Sequence, residues 1–137
     1  MRKINKIIIH CSATPQNRKV SVNTIRKWHL QRGFNDIGYH YVIHLDGKIS
    51  VGRPIEKVGA HCAYENRGSI GICYVGGMTK DMKKPKDTRT QAQKDSLIKL
   101  MHQLIYKYNK DMTIHGHNEY ANKSCPCYNV QEEYANL

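Results

Sequence analysis

Three places in this 137-residue sequence carry side chains that could do chemistry together. His10 closes an early apolar run, His115-Gly116-His117 closes a late one, and Cys125 follows His117 by eight residues. Imidazole nitrogen and thiolate sulfur are both good donors to zinc. A His, His, Cys set leaves a fourth coordination position open for water, whose pKa zinc lowers to about 7. The chemistry on offer is therefore hydrolysis at neutral pH. The donors are far apart along the chain and match no compact zinc-finger pattern. By spacing alone, the same residues read equally well as packed structural histidines. The total of eight His adds weight to metal or acid–base chemistry.

The elements that must position these residues can be read from periodicity. Ile4–Ile9 is apolar and β-branched on successive positions, which predicts a strand buried on both faces and ending at His10-Cys11-Ser12. Ser21 or Asn23 can cap a helix reaching about Arg32, with Val22, Ile25, Trp28 and His29 on one face and Gly33 as its stop. Tyr39–Leu45 and Lys48–Gly52 form a hairpin through Asp46-Gly47. Ser69–Val75 is another apolar strand, closed by Gly76-Gly77. Lys80–Arg89 carries many cations and reads as an exposed basic loop. Thr90-Gln91-Ala92-Gln93 is a capping box opening a long helix with Leu97, Leu100, Met101, Leu104, Ile105 and Tyr108 on one face. A short strand, Met112–His115, follows. The order predicts an α/β fold: a mixed central β-sheet flanked by helices, one domain over residues 1–137. Strand ends that face the same way gather such residues at one edge of the sheet.

Composition narrows the class. Hydrophobic residues at 39% and charged residues at 24% are those of a globular domain. The formal charge of +11 favours a polyanionic partner, whether nucleic acid, an anionic membrane surface or an acidic wall polymer. No nucleic-acid motif accompanies it, so no specific nucleic-acid partner is expected. No run is long enough for a membrane span or for the apolar core of a signal peptide. The expectation is a protein that is cytoplasmic as synthesised and acts elsewhere only after release. The five Cys are odd in number, which argues against a disulfide framework. Cys11, Cys62 and Cys73 read as small buried apolar residues. Cys127 reads as a bystander, or else as a competitor for metal or an oxidation partner of Cys125. Trp28 is expected in the core, and His40 and His44 as structural residues of the hairpin. His115 reads as a packed strand residue or an outer partner of a ligand rather than a ligand itself, and His29 and His102 as solvent-facing or core-edge residues.

Four blocks of the sequence resemble a known family. Ile8-Ile9-His10-Cys11-Ser12-Ala13-Thr14 is the first. Trp28-His29, Gly38-Tyr39-His40-Tyr41-Val42-Ile43 and Asp46-Gly47 form the second. Gly59-Ala60-His61 with Asn66, Ser69-Ile70-Gly71-Ile72 and Gly76-Gly77 form the third, and His117 with Lys123-Ser124-Cys125-Pro126 the fourth. In this order they resemble the zinc-dependent N-acetylmuramoyl-L-alanine amidases, the group shared by small phage lysozymes and peptidoglycan recognition proteins. The resemblance spans nearly the whole chain. It implies one zinc ion per chain held by His10, His117 and Cys125, with Tyr39 and Lys123 catalytic and His61 and Asn66 lining the substrate groove. The substrate it implies is bacterial peptidoglycan, cut between the lactyl group of N-acetylmuramic acid and L-alanine. A monomeric, endolysin-like or prophage enzyme of cell-wall degradation is the expectation. A non-catalytic peptidoglycan-binding protein is the alternative, since some relatives lack a ligand and only bind.

Overall fold

Isoleucines on three successive positions have no polar face to offer water, so they form an interior strand of the sheet. In the computed structural model, which describes residues 1–137, this strand is β1, Lys6–Cys11, with Ile7, Ile8 and Ile9 fully buried. It begins and ends later than the apolar run alone implied. Pairing sets its limits, from Lys6 against Ser69 and Thr113 to Cys11 against Tyr74.

Ala13 turns with a φ of 56° into the short β2, Thr14–Pro15. Helix α1, Val22–Gln31, is capped by Ser21, whose Oγ accepts from the Thr24 N–H at 3.1 Å. Gly33 ends it at a φ of +94°, the left-handed geometry that glycine permits. Ile25 and His29, four residues apart, face inward, whereas Trp28 lies on the flank at 36% exposure rather than in the expected core. His29 is correspondingly buried instead of at the edge.

Strands β3, Tyr41–Ile43, and β4, Ile49–Val51, form the antiparallel hairpin around Asp46-Gly47. The hairpin is shorter than its sequence pattern. Tyr39 and His40 fall outside β3 because the backbone there bonds to Arg53 and Gly71 instead. Strand β5, Ser69–Tyr74, is buried throughout, and β6, Gly77–Met78, runs parallel to β2. The basic segment after β6 is exposed as expected only as far as Asp87. Thr88 and Arg89 are buried. Arg89 ion-pairs with Asp87 at 2.8 Å and Glu133 at 3.1 Å, and its guanidinium lies 3.3 Å from the centre of the Tyr128 ring.

The capping box is present at helix α2, Gln91–Tyr108. Thr90 Oγ1 accepts from the Gln93 N–H, and Gln93 Oε1 accepts from the Thr90 N–H. Strand β7, Thr113–Gly116, leads into a 3-10 turn, His117–Glu119, and the chain closes with helix α3, Val130–Glu133.

The main sheet has the order β4-β3-β5-β1-β7. All of its pairings are parallel except β3 with β4, so the sheet is mixed, as the order of elements predicted. One face of β1 and β5 carries Ile7, Ile9, Ile70, Ile72 and Tyr74, which pack with Leu97, Leu100, Met101 and Leu104 of α2. Each such side chain contributes roughly 1.5–3 kcal/mol by leaving water, so this face carries most of the stability. Alternation along the strands puts His10, Ser69, Gly71 and Cys73 on the opposite face. A smaller cluster there, with Ile25, Ile37, Val42 and Val75, leaves room for polar side chains. No helix is long and apolar enough to cross a membrane.

Candidate active site

Register brings the first two candidate ligands together. Strands β1 and β7 are parallel with Ile9 opposite Gly116, so the next residue of each, His10 and His117, emerge side by side at the carboxyl ends of the strands. Their Nδ1 atoms lie 3.1 Å apart, and both rings are buried. The chain leaves the strand at Gly116. A Cβ there would press on Asn118 and Pro126, so glycine permits the turn that aims His117 back at His10. His115 and His117 therefore point differently, although residues two apart in an unbroken strand share a side. His115 faces outward and hydrogen-bonds Glu119 at 2.9 Å and Thr113 at 2.7 Å.

Cys125 reaches the same point from the loop before α3. Its Sγ lies 3.9 Å from His10 Nδ1, and the three donor atoms all lie within 4.8 Å of one another. Two of the contacts that hold that loop lie close to the sulfur. The Cys11 N–H donates to Cys125 Sγ at 3.2 Å, and the buried Tyr74 hydroxyl donates to the Pro126 carbonyl at 2.6 Å. A tetrahedral zinc with bonds of about 2.0–2.3 Å spaces its donors roughly 3.3–3.7 Å apart, so this set fits such an ion with small adjustments. The histidines are in the right state for it. Burial holds His10 well below the usual imidazole range, and His61, His117 and Lys123 act in the same direction. Burial and Lys123 lower His117 as well. Both rings are thus neutral at pH 7, the form that binds metal.

A groove of about 530 Å³ runs beside this cluster, lined by His117, Tyr39, His61, Asn66 and Lys123 among others. Tyr39 sits on the segment before β3, its ring 5.1 Å from that of His10 and 5.3 Å from that of His29. Its position comes from Gly38, where a Cβ would run into the Ala60 carbonyl. The Gly38 N–H donates to His29 Nδ1 at 2.8 Å. His29 thus supports Tyr39 from α1, a role that periodicity alone did not reveal. Burial pushes the Tyr39 phenol well above its ordinary pKa, so at neutral pH it is a protonated phenol with a hydrogen to donate. Lys123 is exposed at the groove, and its charge is felt by both His10 and His117.

His61 also borders the groove, but both of its ring nitrogens are engaged, Nδ1 with His10 Nε2 at 2.8 Å and Nε2 with Ser69 Oγ at 3.2 Å. Asn66 Oδ1 accepts from the His61 and Cys62 N–H groups, both at 2.9 Å, so it closes its own loop. His40 is structural, as expected. Its Nδ1 accepts from the Gly71 N–H at 3.0 Å, and its Nε2 meets the Lys57 carbonyl at 2.8 Å. Cys11, Cys62 and Cys73 are buried. Cys127 Sγ lies 3.9 Å from Cys11 Sγ and bonds the Gly77 carbonyl at 3.3 Å, outside the His10, His117, Cys125 group.

Residues 1–128 match the family model described as N-acetylmuramoyl-L-alanine amidase. The endolysin of Escherichia phage T7 is 40% identical over 125 residues, covering 91% of this chain and 82% of that protein. The N-acetylmuramoyl-L-alanine amidase LysC from Clostridium intestinale URNW superposes with a TM-score of 0.81 at 30% identity, covering 97% of this chain and 83% of that one. Drosophila PGRP-LB superposes equally well, with a TM-score of 0.81 at 25% identity over 100% of this chain and 82% of that one.

Proposed function

The chain belongs to the N-acetylmuramoyl-L-alanine amidase family, and from that premise we propose that it is a zinc-dependent hydrolase of bacterial peptidoglycan. It cuts the amide bond between the lactyl group of N-acetylmuramic acid and the L-alanine of the stem peptide. The observation that carries this reading is the meeting of His10, His117 and Cys125, with ligand atoms within 4.8 Å, beside a groove that holds Tyr39 and Lys123.

His10 and His117 would hold one zinc ion through Nδ1, and Cys125 through its thiolate. Zinc in such a site supplies Lewis acidity toward the amide carbonyl and makes water more acidic. The remaining roles fall to the chain. Lys123 offers a positive charge to the oxygen of the amide as that oxygen becomes anionic. Tyr39, kept as a neutral phenol, donates a hydrogen bond that orients the reacting groups. The groove takes the stem peptide, with the free amide group of Asn66 available to it. The whole chain, residues 1–137, is read as a single amidase domain that works as a monomer. It waits in the cytoplasm and meets the wall after release, as an endolysin does.

A non-catalytic peptidoglycan binder is the competing reading. It has no use for a complete donor set with Tyr39 and Lys123 alongside, and all five residues are present here. The test is zinc content by elemental analysis of protein purified without added metal, with release of stem peptides from peptidoglycan measured with and without chelator. About one zinc per chain and chelator-sensitive release are expected. Zinc without release would favour the binder, and neither would return the donor set to a structural role.

A further inference from the structure

We propose that His61 is a positioning residue for His10, and that it fixes which nitrogen of the His10 ring is free to bind a metal. This rests on the reading of His10 as a ligand given above. The hydrogen bonds assign the protons. If His10 Nδ1 faces His117 and Cys125, its proton sits on Nε2, which lies 2.8 Å from His61 Nδ1. His10 Nε2–H is then the donor and His61 Nδ1 the acceptor. That choice puts the His61 proton on Nε2, which donates to Ser69 Oγ at 3.2 Å. The Ser69 hydroxyl has the Asn66 carbonyl at 3.4 Å as its own acceptor. The chain of donors therefore runs one way, from His10 to a backbone carbonyl. A ligating histidine whose other nitrogen donates in this manner is held in one tautomer and one ring orientation.

A second observation, independent of the hydrogen bonds, is the slot built for the His61 ring. A Cβ on Gly71 would lie 2.6 Å from the ring, and one on Gly59 would lie 2.7 Å from it. Neither glycine has the positive φ that would otherwise call for glycine. Gly71 sits inside the buried strand β5, where a glycine weakens the strand and a β-branched residue would serve it better. The missing side chains are the space the imidazole occupies. The ring then meets His10 edge-on, with centroids 4.8 Å apart and planes at 89°. With both nitrogens engaged, His61 has no free hydrogen-bonding atom for a substrate, although it borders the groove.

The test uses the full chain, free of metal and then titrated with zinc. Nitrogen-15 NMR of the histidine rings should show His10 and His61 each protonated at Nε2 in the metal-free protein. His61→Ala should leave His10 as a mixture of tautomers and weaken zinc binding about 10–100-fold, the usual cost of losing such a partner. At saturating zinc, its KM for peptidoglycan should stay within about twofold of wild type. His61→Asn, which keeps an acceptor near the Nδ1 position, should recover most of the zinc affinity. Gly71→Ala should weaken zinc binding by crowding the ring with His61 still present, which covers the case in which His61→Ala fails to fold. Unchanged tautomer and zinc affinity with a raised KM in His61→Ala would overturn the proposal and make His61 a substrate contact. The stated tautomers in a wild type that binds no zinc would leave the positioning role standing and overturn the metal reading instead.

Discussion

The backbone N–H of Cys11 donates to the sulfur of Cys125 at 3.2 Å, across 114 residues of sequence. The residue next to one candidate ligand thus steadies another. An N–H aimed at the sulfur fixes where that ligand atom sits relative to His10.

Replacing that sulfur tests the centre directly. Cys125→Ala should weaken zinc retention by more than about 100-fold, beyond the usual loss for an outer partner of a ligand. Stem-peptide release should disappear with it, while circular dichroism stays close to wild type. Zinc per chain and peptide release are the two readouts, and retention of both would remove Cys125 from the ligand set.

Lys123 is exposed and has no side-chain partner in the fold, so its loss should spare stability. Lys123→Ala is expected to lower kcat about 10²–10³-fold, the range for losing one stabiliser of a developing oxyanion. Zinc content should not change. A raised KM at unchanged kcat would instead make Lys123 a binding residue.

Acid should destabilise the protein through His40. This fully buried ring is pushed down to about 4, chiefly by burial. In the unfolded chain it titrates near its ordinary value of about 6.5. Between those values the unfolded state binds the proton and the folded state does not, so stability falls as pH drops from about 6.5 to 4. The full gap corresponds to roughly 3 kcal/mol at most. Urea unfolding of wild type and His40→Asn across that window should show a shallower slope for the variant. Parallel curves would assign the acid sensitivity elsewhere.

Tyr74 anchors the loop that carries Cys125, through its hydroxyl to the Pro126 carbonyl. Tyr74→Phe leaves that buried carbonyl without its donor and should cost about 1–3 kcal/mol in thermal or urea unfolding. A loosened loop should also hold zinc less tightly. Loss of stability with unchanged zinc affinity would mean that Cys11 alone positions the sulfur.

Much of this layout was legible in the sequence, because it rests on local signals. The isoleucine run of β1, the Asp46-Gly47 turn and the Thr90–Gln93 capping box are each decided within a few residues. The order of elements was enough for a mixed sheet. The ligand set came from resemblance, because the pairing that brings His10 beside His117 depends on register across 107 residues. Side chains that work through tertiary contacts stayed hidden. Trp28 shares helical phase with Ile25 yet lies on the flank, while His29 turns inward to hold Gly38. Arg89 looks like the end of a basic loop and is instead buried against Tyr128. A signal for the His61 slot was present in Gly71, a glycine inside an apolar strand, which commonly marks close approach of another group.

The contacts of His10 with His117 and with Cys125 span 107 and 115 residues. A cation gripped by all three would clasp two distant parts of the chain into a ring that the unfolded chain lacks. Because only the folded chain brings the three donors together, such a clasp stabilises the fold by mass action, in proportion to the logarithm of free metal over its dissociation constant. The five cysteines form no disulfide, which would make that clasp the fold's one cross-link, and a removable one. Metal supply would then govern the lifetime of the protein as well as its turnover. A molecule starved of zinc would be easier for proteases to open.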